Sequence, residues 1–189
     1  MAESIYRTGR VCSAGVEVLR YRILLPTRED FGVLSGFYEE ISDGVRAFCE
    51  GELRRRAEED FEACEDPKKR FFYPSFCYTL EGRIPWEDRE RDWVAVRLDA
   101  CLGRKGGGEI LARGADAHVW HRTEGCLIPP QEVARVLGCR RLSWRERKKA
   151  DGVLMDGGKV WLCMGGEWTE LPPRRKQGKN IENQKEMSL

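Results

Sequence analysis

Between Asp30 and Cys64, apolar residues recur every three or four positions: Phe31, Leu34, Tyr38, Ile41, Val45, Phe48, Cys49, Leu53, Ala57, Phe61 and Cys64. That spacing keeps side chains on one face of an α-helix. Glu39, Glu40, Asp43, Arg46, Glu50 and Arg54 fall on the other faces. A helix of roughly thirty residues is about 45 Å long at 1.5 Å per residue. A stripe of that length needs a broad apolar partner, and the partner it predicts is a sheet. Gly32, Gly36, Gly44 and Gly51 are poor helix formers, so the regular helix is expected to start nearer Ser35, and a close approach of helix to sheet would account for them. Thr27 or Asp30 is the expected cap.

The flanking segments supply strands. Glu17 to Leu25 alternates, with Leu19, Tyr21, Ile23 and Leu25 on one side, and Pro26 is expected to end it. Ala57 to Arg70 reads as a charged helix end stopped by Pro67. Arg70 to Leu80 is aromatic and β-favouring, with Pro74 marking an edge or bulge. Gly82 to Arg91 reads as a polar connection. Trp93 to Leu102 alternates, Arg104 to Gly108 is a turn, and Glu109 to Arg122 completes an antiparallel hairpin. Pro129-Pro130 opens a short helix closed by Gly138. Ser143 and Glu146 make a capping-box pattern for a second. Val153 to Met164 is a hairpin turning at Asp156-Gly157-Gly158, and Trp168 to Leu171 adds a short strand. The expected fold class is therefore α+β: one long helix packed on an antiparallel β-sheet, with two short helices and a closing hairpin. Residues 1–171 form a single domain in this reading, and 172–189 a disordered tail.

Composition bounds the function classes. Lys plus Arg number 33 and Asp plus Glu 32, a balance that argues against a dedicated nucleic-acid or anionic-membrane binder. No window is apolar enough to span a bilayer, and no signal peptide opens the chain, so a cytoplasmic location is expected. No two of the eight cysteines are closer than 13 residues. That removes any CxxC knuckle and leaves buried thiols as the expectation over a disulfide framework.

Chemistry-bearing motifs are sparse. Asp116-Ala-His118-Val-Trp120-His121 holds both histidines, yet three residues apart on a strand they point to opposite faces, while Asp116 and His118 share one. No catalytic residue, metal site or cofactor is assigned, because two ligands do not make a metal site and no phosphate loop or nucleophile elbow occurs. The candidate binding residues are Trp93, His118, Trp120 and His121 on the sheet, with Arg140, Arg141 and Trp144 on the basic stretch Arg140 to Lys149. Paired acids at Trp86-Glu87-Asp88 read as solvated.

The order of features resembles a known family. Tyr21-Arg-Ile-Leu-Leu-Pro26 before a long helix, the aromatic strand after it, the strand from Trp93 to Leu102, the Thr123-Glu-Gly125 turn leading to Leu127-Ile-Pro, and the closing strands from Gly152 to Met164 are similar to a bacterial domain of unknown function. That domain is found at the C-terminus of RsiV-type anti-sigma factors and beside peptidoglycan deacetylase domains. The resemblance covers Val16 to Leu171. It implies an α+β, non-enzymatic binding module in a Gram-positive bacterium, and in RsiV-type proteins this domain recognises lysozyme. The eight cysteines and the missing anchor, export signal and deacetylase metal motif are departures from the family.

The resulting expectation is a non-catalytic binding or regulatory module for an unknown protein or small-molecule ligand. Its ligand would sit on the sheet face or between sheet and helix. The alternatives are a hydrolase using Asp116, His118 and His121, and a nucleic-acid or acidic-partner module using Arg140 to Lys149.

Overall fold

The computed structural model describes residues 3–106 and 109–174. The chain starts with a hairpin, β1 (Glu3–Ser13) and β2 (Val16–Thr27), turning through Ala14 and Gly15, both at positive φ. A 3₁₀ turn (Glu29–Phe31) leads into α1 (Val33–Phe48), a π turn (Cys49–Leu53) and α2 (Arg54–Glu62), and then a short α3 (Pro67–Phe71). Three strands follow: β3 (Phe76–Asp88), β4 (Trp93–Arg104) and β5 (Ile110–His121). After the two-residue β6 (Cys126–Leu127) come α4 (Pro130–Val136) and α5 (Trp144–Lys149). A meander of β7 (Ala150–Asp156), β8 (Lys159–Met164) and β9 (Glu167–Glu170) closes the fold. β1 to β6 form one curled sheet in chain order, and β7 to β9 form a second.

Two expectations are corrected here. The molecule is mainly sheet, 47% strand against 30% helix, and its helices are short, so the predicted α+β plan of one long helix on a sheet does not hold. The π turn divides the helical stretch, and Cys49 and Leu53 within that turn are both buried. Nor is the larger sheet purely antiparallel, because β2 and β3 run parallel, Leu19 beside Phe76 through Leu24 beside Glu81. Parallel neighbours cannot be joined by a tight turn and need a crossover of a dozen or more residues. The helical run from α1 to α3 is that crossover.

The strand content exceeds the sequence reading at two places. β1 was not foreseen, because Arg7 and Gly9 interrupt the apolar face carried by Ile5 and Val11. Gly82 to Asp88, read as a connection, continues β3 through a bulge between Arg83 and Trp86 that takes up Pro85. Proline is tolerated in strands where the ladder is interrupted in this way. Pro26 likewise lies inside β2, paired with Ser4, rather than ending it. Pro67 opens α3, with the Asp66 side chain accepting from the Lys68 N–H, rather than stopping a helix. The residue before α1 is Gly32, without a side-chain cap, so neither Thr27 nor Asp30 fills that role.

Each face of the large sheet buries a core. On one face, Leu34, Tyr38, Cys49, Leu53, Ala57 and Phe61 pack on Leu19, Ile23, Leu25, Phe76, Val94 and Val96. On the other, Trp93, Ala95, Ala117 and Val119 meet α4 and the small sheet through Val133, Ala134, Val153, Leu154 and Leu162. Alternation along β4 sends Val94, Val96 and Leu98 to the helix side and Trp93 and Ala95 to the small-sheet side. Gly36, Gly44 and Gly51 have nothing within 4 Å of where a Cβ would sit, so they do not serve a close helix–sheet approach. The eight thiols are all free, and only Cys49, Cys139 and Cys163 are buried; Cys12 and Cys126 are exposed. Of the expected tail, Pro172 to Arg174 bonds back to Gly138 and Arg140, and 175–189 lies outside the described residues.

Candidate functional site

Asp116, His118 and Trp120 share one face of β5, as alternation requires, and His118 and Trp120 meet Tyr38 of α1. The indole Nε1 of Trp120 donates to the Tyr38 hydroxyl at 3.0 Å, and that oxygen lies 3.3 Å from Nδ1 of His118. Nε2 of His118 lies 3.2 Å from Oδ2 of Asp116. The ring of Phe37 meets both His118 and Trp120 edge-on, at 5.3 and 4.9 Å. One hydrogen-bond assignment satisfies every member: the imidazole donating from Nε2 to the carboxylate and accepting the tyrosine proton at Nδ1. Burial pushes the Tyr38 phenol up. Burial also works to raise Asp116, but the hydrogen bond from His118 leads the effects that outweigh it and hold the carboxyl below its ordinary value.

The geometry has the form of an acid–imidazole–hydroxyl relay without access. Tyr38 is 0% exposed and His118 is 9% exposed, so no substrate atom can approach the hydroxyl. At the junction between helix and sheet, Phe37, Tyr38, His118 and Trp120 pack against one another. His121 does not join the relay. It lies opposite Trp93 across the β4–β5 ladder, 3.7 Å from Asp92 and 3.9 Å from Glu124. Trp93 is buried in the second core, with its ring 6.5 Å from that of Trp86. The hydrolase constellation of Asp116, His118 and His121 is therefore divided between two places.

The basic stretch lies on α5 and the segment before it. The Arg140 guanidinium is held by both oxygens of Glu146, at 2.9 and 2.5 Å. Arg141 is exposed, and Trp144 is 62% exposed beneath the Lys148 ammonium at 4.3 Å.

An open concavity of about 420 Å³ lies at the β3 bulge, lined by Arg28, Ile84, Pro85, Trp86, Glu87 and Arg89. An ion-pair ring fixes its wall. Arg28 bonds Asp30 and Glu87, and Arg122 reaches Asp30 at 2.9 Å and Glu87 at 2.7 Å. Burial raises Asp30, yet Arg28 and Arg122 together bring it below its ordinary value. Arg89 is exposed and has no ion pair among the described residues. The sequence reads Trp86-Glu87-Asp88 as solvated acids, because Arg28 and Arg122, which hold Glu87, meet it only in the folded chain. Pro85 beside Trp86 was the available signal, since bulges re-aim side chains near binding sites.

No family model and no curated protein matches the chain. Among solved structures it is similar to a DUF3298 family protein from Pseudomonas aeruginosa PAO1, at 15% identity and a TM-score of 0.48 over 92% of this chain and 89% of that one. It is also similar to a DUF3298 family member from Bacteroides fragilis NCTC 9343, at 9% identity and a TM-score of 0.44 over the same shares. These structural neighbours belong to a bacterial family of unknown function.

Proposed function

We propose that this chain is a non-catalytic binding module of the RsiV C-terminal type, taking a loop of a partner protein at the β3 bulge. The burial of Tyr38 and His118 carries this reading, because the hydroxyl and imidazole of this acid–base relay are closed off inside the fold. The open concavity beside Trp86 supports the location. Trp86 and Pro85 offer apolar surface, and Arg89 is placed to pair with a partner carboxylate. The order of sequence features from Val16 to Leu171 supports the RsiV-like part of the proposal.

Lysozyme is the probe that this resemblance implies. Calorimetric titration of the protein with lysozyme is expected to give saturable binding, weakened at least ten-fold, about 1.4 kcal/mol, by Trp86→Ala with Arg89→Glu. The variant His118→Gln is expected to bind as the parent does. Absence of binding removes the RsiV-like assignment. Ester or amide turnover abolished by His118→Gln removes the non-catalytic one.

A further inference from the structure

We infer that the outer margin of β1 is an interface for a second copy of this chain, joined antiparallel about a two-fold axis through Thr8. β1 ends the order of the large sheet and, among the described residues, pairs only with β2, which leaves one row of its backbone donors and acceptors open to a partner strand. Edge strands are usually blunted by charged side chains, proline, bulges or shortness. β1 has 11 residues and no proline, and its charges Arg7 and Arg10 are accommodated opposite Gly9 and Tyr6 of the partner subunit in the register centred on Thr8. Its one ladder irregularity lies near the far end, between Val11 and Cys12.

The sequence of β1 is self-complementary in one register. With the axis at Thr8, Ile5 stands opposite Val11 of the partner subunit. Both residues pack on the helix-side core, so the pairing continues that apolar face across the axis. On the other face Tyr6, 58% exposed, stands opposite Arg10 of the partner subunit, an aromatic–guanidinium pair made twice by the symmetry. Arg7 falls opposite Gly9, which has no side chain to oppose it. Moving the axis to Arg7 sets that cation against its own copy. Moving it to Gly9 sets Arg7 against Val11 and Ile5 against Ser13. Like charges and mismatched pairs directly across a ladder are unfavourable, so Thr8 is the centre that the side chains select. Ser4 then faces Cys12 of the partner subunit, and Cys12 is an exposed free thiol.

Light scattering of the full chain is expected to give a mass twice 21.8 kDa. Tyr6→Lys places a lysine opposite Arg10 at both ends and is expected to weaken the dimer roughly ten-fold. Tyr6→Glu replaces repulsion with attraction and is expected to keep it. Because Tyr6 is exposed, both variants should retain the parent circular dichroism. Mild oxidation of Ser4→Cys is expected to give a disulfide-linked dimer, and the same treatment of Ser4→Cys with Cys12→Ser none. A mass of 21.8 kDa at every concentration overturns the inference, as does a dimer insensitive to Tyr6→Lys or a Ser4→Cys chain that does not cross-link.

Discussion

The hydroxyl of Tyr38 joins two elements that share no backbone bond. It accepts from Trp120 and faces His118, both on β5, while its own ring belongs to α1. Removing it in Tyr38→Phe leaves the Trp120 N–H and His118 Nδ1 without a partner in a buried setting. An unsatisfied buried group costs about 1–3 kcal/mol, so the unfolding free energy should fall by that amount, read as a lower urea midpoint at an unchanged slope. Glu146 shows the electrostatic counterpart. The Arg140 guanidinium, opposed by partial burial and aided by the Ser143 N–H, lowers its carboxyl from 4.5 to about 2. A folded-state value below the unfolded one adds stability that is complete above the ordinary carboxylate range and lost as pH falls toward 2. Glu146→Gln should therefore reduce thermal stability at neutral pH and flatten its decline between pH 4.5 and 2. Melting curves across that window check this.

At the scale of elements, glycine has opposite effects in α1 and β7. Gly44 sits exposed in α1, with nothing near its missing Cβ. Gly44→Ala should stabilise the protein by up to about 1 kcal/mol, as helix propensity dictates. Gly152 in β7 lies where a Cβ would come 2.0 Å from the Ala117 carbonyl oxygen. That contact is backbone against backbone, and it is how the small sheet seats on β5. Gly152→Ala must push the sheets apart and should cost at least about 1–3 kcal/mol, the range of overpacking. Denaturation of the two variants side by side should give shifts of opposite sign. The capping box of α5 was legible in the sequence because Ser143 and Glu146 lie within one turn, and both of its hydrogen bonds are present. The β3 bulge was not, since Ile84 and Pro85 become strand only through pairing of the flanking residues with β4.

For the whole molecule, β4 and β5 are common property. Val94 and Val96 serve the helix-side core, while Trp93, Ala95, Ala117 and Val119 serve the small-sheet core. Neither core can lose its share of these strands without exposing the other. Equilibrium unfolding followed by far-ultraviolet and near-ultraviolet circular dichroism should give coincident single transitions. Separate transitions would mean that β7 to β9 melt independently.

The sequence by itself determined side-chain periods within single segments. The stripe from Phe31 to Phe61, with the 39% exposed Phe48 as its exception, the alternation in β2 and β4, the opposite faces of His118 and His121, and the closing hairpin all follow from them. Partner strands, their direction and the closure of surfaces were decided only by the tertiary structure. β2 lies beside β3 because α1 to α3 carry the chain back over the sheet, and no local pattern encodes that neighbour. The same holds for access: His118 and Trp120 look available on an isolated strand, and Phe37 and Tyr38, some eighty residues earlier in the chain, seal them. Periodicity is a property of consecutive residues, whereas pairing and burial depend on residues distant in the chain.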